Sequence, residues 1–148
     1  MIIIVHSKER RKKCSLTPIM DWPEFTFYDD YDYKIPDDAL VLHPEGEPLT
    51  KEDSDRPIVL IDATWKYFKK MFNRDPHLKR YDTRSVPGVL TAYPRQSKFK
   101  KHPPNYLASI EVIFCVGRIL GKKDYIRTIQ EYYFKDEFLK LNGIDLDK

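Results

Sequence analysis

The chain has 148 residues, 41% hydrophobic and 33% charged, with a formal net charge of +3, which suits one globular domain with a full-size core. The longest purely apolar run, Ile2–Val5, is far too short for a membrane span and lacks the flanks of a secretory signal, so no membrane partner and no export are expected. Two cysteines, Cys14 and Cys115, supply neither a disulfide framework nor a complete all-cysteine zinc site, and reduced thiols in a cytoplasmic protein are expected.

Taken in chain order, Ile2–Val5 reads as a buried strand, followed by the basic cluster Lys8-Glu9-Arg10-Arg11-Lys12-Lys13. Between Asp21 and Asp55 there are 12 acids against two bases, Lys34 and Lys51, a balance of −10 that leaves +13 on the other 113 residues. A chain divided this way has one region that attracts polyanions and one that repels them. Within the acidic stretch, Phe25–Tyr28 is a candidate strand and Ala39–Leu42 a second apolar run. Ile58–Ile61 is a further buried strand, and Trp65, Phe68 and Phe72 (i, i+3, i+7), with Met71 beside them, predict an amphipathic helix after it. Val86–Ala92 reads as a strand interrupted by Pro87 and Gly88, and a second basic run, Arg95 to His102, follows.

Pro103 and Pro104 exclude a helix before Asn105. Leu107, Ile110 and Phe114 predict a second helix, capped by Asn105 or Ser109 and ended at Gly121. A third is predicted from about Asp124, as N-cap, to Leu141. Continuous apolar strands alternating with helices predict an α/β fold, a mostly parallel sheet flanked by helices, in one domain over residues 1–148.

No serine–histidine–aspartate arrangement, glycine-rich phosphate loop or metal-ligand spacing is present, so no metal is expected. The segment Ile58–Trp65 is the informative one. It delivers Asp62 to the carboxyl end of a strand just as a helix begins, the place where open α/β sheets bind ligands. The competing reading makes Asp62 or Thr64 a simple N-cap and Trp65 a core residue. Glu111, in the first turn of the second helix, suits either a ligand's polar edge or a capping role.

Asp62-Ala63-Thr64-Trp65 at a strand-to-helix junction resembles the Asp-x-Thr/Ser-Trp signature of the DTW-domain superfamily, which includes the ribosome-maturation aminocarboxypropyltransferases. Lys12-Lys13-Cys14-Ser15-Leu16-Thr17 resembles the loop after the first strand in the ribosomal branch. Leu42-His43-Pro44-Glu45-Gly46 is similar to the segment upstream of the signature. Leu90-Thr91-Ala92-Tyr93-Pro94 with Tyr106-Leu107-Ala108-Ser109-Ile110-Glu111 is similar to the last block of the family. The resemblance implies a SPOUT-like fold with a C-terminal trefoil knot. It also implies S-adenosylmethionine as group donor, and transfer of its 3-amino-3-carboxypropyl group to N3 of a uridine or pseudouridine in tRNA or rRNA.

On that resemblance Thr17, Leu42, Leu60, Asp62, Trp65, Leu90, Tyr106, Leu107 and Ser109 line the donor pocket, much of the contact being through backbone. Asp62 and Trp65 carry catalysis. Trp65 shields the methyl group, and Asp62 orients or removes the N3 proton, although a carboxylate with a reference pKa of about 3.9 is a weak base unless burial raises it. Arg10, Arg11, Lys12, Lys13, Arg95, Lys98 and Lys101 hold RNA phosphates, and Arg84 or a basic leader residue takes the donor's carboxylate. The alternatives are a SPOUT-type RNA methyltransferase and a non-catalytic RNA-binding module. The single apolar stripes of the helices leave no surplus for a large interface, so a monomer is expected.

Overall fold

The computed structural model describes residues 1–6, 15–29, 32–93 and 107–147, with the Trp65 side chain outside that set. Arg10, Arg11, Lys12, Lys13, Cys14, Arg95, Lys98, Lys101 and Tyr106 therefore lie outside the described residues. Among the described residues, five strands, β1 (Ile2–Val5), β2 (Thr26–Asp29), β3 (Leu40–Pro48), β4 (Ile58–Asp62) and β5 (Asp82–Ser85), form one sheet in the order β2-β1-β4-β3-β5. Every pairing is parallel, as the continuous apolar runs predict.

The helices are α1 (Trp65–Arg74), α2 (Ser109–Leu120), α3 (Lys123–Arg127) and α4 (Lys135–Leu141). Strand side chains alternate between faces, and the two faces build two cores. Ile3, Leu40, Leu42, Ile58 and Leu60 pack with Ile110, Ile113 and Phe114 of α2, Tyr125 of α3 and Phe138 of α4. Ile4, Val41, Val59 and Ile61 pack with Phe68 and Met71 of α1. Phe114 and Phe138 are fully buried and meet edge-to-face at 5.9 Å. Truncating either to alanine costs about 3–5 kcal/mol.

Three expectations are corrected. Residues 86–92 are not a strand: Pro87 has no N–H to donate, and Gly88 turns the chain at φ +77°. The last strand lies just before, in Asp82–Ser85, among the described residues an edge strand paired only with β3 and so free to be polar. The third helix is broken into α3, a 3-10 turn at Thr128–Glu131, and α4. The Thr128 hydroxyl donates to the Tyr125 carbonyl at 2.6 Å, a side-chain bond that competes with helix continuation. Asp124 sits in the first turn of α3, and Lys122 occupies the N-cap.

The apolar expectations for β1, β4 and α1 match the structure, and the candidate strand at Phe25–Tyr28 is β2. Gly121 ends α2 in the left-handed conformation at φ +72°. Strand β3 runs past the expected Leu42 to Pro48, with a register shift against β5 between Leu42 and Glu47. Gly46 permits it, since a Cβ there would lie 2.7 Å from the Arg84 nitrogen. Residues 94–106, which lead into α2, lie outside the described residues, and the expected knot threading with them.

Candidate active site

Strand order marks a candidate site before any side chain is considered. β1 and β4 are neighbours, yet from β1 the chain moves outward to β2 and from β4 it moves the other way to β5. The two connections also cover opposite faces: Leu16 and Ile19, after β1, join the α2 core, while α1, after β4, covers the other face. Such a reversal opens a crevice at the carboxyl ends of the strands, the usual ligand position in open α/β sheets.

Asp62 stands at that point, opposite Val5 in the β1–β4 register. Alternation places Ile58, Leu60 and Asp62 on the α2 face, so the Asp62 carboxylate meets the N-terminus of α2. The Ser109 hydroxyl donates to Asp62 Oδ1 at 2.5 Å, a charge-assisted hydrogen bond on a carboxylate that is 6% exposed. Asp62 is not the N-cap of α1; Thr64 holds that position, without a side-chain capping bond. Ser109 is likewise the first helical residue of α2, with Ala108 at its N-cap. Ser15, returning from β1, accepts the Ile110 N–H at 3.4 Å. The loop after β1, the tip of β4 and the start of α2 therefore meet in one place.

Glu111 resolves differently from Asp62. It is fully buried. Its carboxylate accepts from Ala108 N (2.7 Å), Thr91 Oγ1 (2.7 Å), Ala92 N (2.8 Å) and the Tyr132 hydroxyl (3.0 Å). A charged group with its acceptor positions filled by four donors is a structural clamp, so of the two expected roles it takes the capping one and extends it. It fixes residues 91–92 against the first turn of α2. Glutamate at the third helical position is readable from sequence, but Thr91 and Tyr132 are brought in by tertiary folding and carry no local signal.

The other residues expected around the donor fall in several places. Leu42 and Leu60 are buried on the α2 face, beneath Asp62. Thr17 is exposed in the short 3-10 turn Thr17–Ile19, two residues from Ser15, and Leu107 is half-buried just before α2. Leu90 is 43% exposed, and its backbone is already committed: Asn142, at the end of α4, accepts its N–H at 2.7 Å and donates to its carbonyl at 2.9 Å. Arg84 pairs with Asp53 at 3.2 Å beside the β3–β5 edge. A cavity of about 140 Å³, with Ile2, Thr26, Arg56, Lys122 and Tyr125 in its wall, opens at the opposite, amino-terminal ends of the strands. The switch point, not this cavity, carries the acid and the helix terminus.

No protein-family profile and no curated protein sequence matches the chain. Among solved structures, the SAM-dependent rRNA:acp-transferase Tsr3 from Vulcanisaeta distributa superposes with a TM-score of 0.74 at 20% identity. The match covers 96% of this chain and 78% of that one. The chain has the fold of Tsr3. It extends over nearly the whole sequence, so the sheet, the switch point and α2 all belong to an architecture shared with Tsr3. No group of His, Cys, Asp and Glu suited to a metal ion occurs among the described residues.

Proposed function

We propose that the protein is an S-adenosylmethionine-dependent RNA aminocarboxypropyltransferase of the DTW and ribosome-maturation type. In this reading it moves the 3-amino-3-carboxypropyl group to N3 of a uridine-type base, on a SPOUT-like fold with a C-terminal knot. The observation that carries the reading is the Asp62–Ser109 pair at the β1–β4 switch point, on a fold shared with a transferase whose stated donor and substrate are SAM and rRNA.

The residues present suit that donor. Asp62 is an anionic acceptor for ammonium or hydroxyl hydrogens, and the positive end of the α2 dipole favours a carboxylate. Leu42 and Leu60 supply an apolar floor for the uncharged part. The electrophilic carbon is already activated by the adjacent sulfonium, so the protein's task is orientation. The carbon–sulfur bond breaks, a carbon–nitrogen bond forms at N3, and the N3 proton leaves to solvent. Ser109 fixes the Asp62 carboxylate, which orients the N3 edge of the base, and Trp65, the first residue of α1, shields the methyl group. The basic residues at positions 10–13, 95, 98 and 101 hold phosphates.

Calorimetric titration with S-adenosylmethionine tests the reading. One-site binding is expected, with methylthioadenosine released once RNA is added. Asp62→Ala is expected to lower transfer about 100-fold or more. Absence of donor binding, or full transfer by the Asp62→Ala protein, contradicts the assignment.

A further inference from the structure

Helix α1 carries Lys66, Lys69, Lys70 and Arg74 and no acid. Two of these lysines break the local rules of a stable helix. Lys66 is the second helical residue, at the positive end of the dipole, where a cation is unfavourable. Lys66 and Lys70 are spaced i, i+4, where like charges face each other and repel. Both are exposed, and neither makes an ion pair among the described residues.

Their ammonium groups gather about one ring instead: Lys66 Nζ lies 5.9 Å and Lys70 Nζ 5.8 Å from the Tyr67 centroid. Tyr67 is itself fixed, because the His6 imidazole stacks on it at 4.4 Å with the planes 14° apart. His6 follows β1 and donates its backbone N–H to the Asp62 carbonyl at 3.0 Å. The paired lysines are thus tied to the carboxyl-end tips of β1 and β4, on the α1 face of the sheet and so on the opposite face from the Asp62 carboxylate. Like charges kept side by side at the carboxyl end of the sheet, with no acid on the helix and only a shared ring contact to offset them, are the pattern of a surface kept for a ligand, and the sign of the charge makes that ligand an anion.

We propose that Lys66 and Lys70, held about the Tyr67 ring, form a docking surface for backbone phosphates of the RNA strand that enters the site. The inference rests on the reading of RNA as substrate. It adds a second phosphate contact region, on the α1 face, to the basic runs at 10–13 and 95–101.

The test measures binding of a fluorescein-labelled single-stranded oligouridylate of about 20 nucleotides as KCl rises from about 50 to 200 mM. The double variant Lys66→Ala/Lys70→Ala is compared with the parent and with Lys51→Ala/Lys140→Ala, which removes the same charge elsewhere. Two lost phosphate contacts reduce the slope of log K against log salt by about 1.4 for a single strand. The α1 variant is expected to show that loss with a Tm equal to or above the parent's, because the like-charge pair is gone. A slope equal to the parent's, or equal to the control pair's, overturns the proposal, as does a parent that does not bind the oligonucleotide. Donor calorimetry on the same samples separates the two readings. RNA binding with the α1 slope change but no S-adenosylmethionine binding overturns the transferase and leaves the docking surface standing.

Discussion

Asp62, at the tip of β4, and Glu111, in the first turn of α2, both meet the N-terminal end of that helix, and their surroundings differ. Glu111 accepts from four protein donors, and one of the contacts of Asp62 is the bond from Ser109, the first residue of α2. That bond fixes the rotamer of Asp62, so Ser109→Ala is expected to leave the fold intact and lower transfer about tenfold through lost orientation. Steady-state kinetics on the purified variant check this, and an unchanged rate removes Ser109 from the account. Cys115 is a contrasting case: burial, reinforced by Glu111, pushes its thiol up to about 12, which makes it a core residue and not a nucleophile.

At the level of elements, the Glu111 clamp is what ties the loop after β5 to α2. Glu111→Gln keeps the shape but turns an NH₂ toward protein donors, and a loss of about 3 kcal/mol is expected in urea unfolding. Tyr132→Phe, which removes a single donor, is expected to cost about 1 kcal/mol. Equal stability of parent and Glu111→Gln contradicts the clamp. The β3 bulge carries a pH dependence of its own. Desolvation against Phe68 and Phe72 pulls the His43 imidazole below its usual 6.5. Below about pH 6.5 the unfolded chain takes up this proton first, so the contribution of His43, present above that pH, is lost as pH falls through the folded value. An NMR titration of the ring is expected to show a midpoint under 6.5, and a midpoint at or above it contradicts the burial.

Which elements were legible follows from how they are stabilised. β1, β4, α1 and α2 bury continuous or periodic apolar residues, so their pattern announces them. β5 reads Asp-Thr-Arg-Ser because an edge strand needs backbone pairing on one side only, while the more apolar 86–92 belongs to a loop held by side-chain bonds to Glu111 and Asn142. Asp62 was legible from its place at the end of an apolar strand. Its partner Ser109, 47 positions later, reads locally as a cap, and only the family resemblance groups it with Asp62, because no local pattern encodes a contact between a strand tip and a distant helix.

For the molecule as a whole, charge and topology agree. The −10 stretch from Asp21 to Asp55 contains β2 and β3, while α1, whose first residue is three positions after Asp62, bears four cations and no acid. The described elements form three α/β/α layers with the switch point between β1 and β4, and Tsr3 shares that architecture over 96% of the chain. The central claim is that the group passed on from this crevice is the amino-acid arm of the donor. Incubation with RNA and S-adenosylmethionine labelled either in the carboxyl carbon or in the methyl group tests it directly. Carboxyl label is predicted to enter the RNA while methyl label leaves in methylthioadenosine; methyl label in the RNA, with adenosylhomocysteine as the by-product, contradicts it.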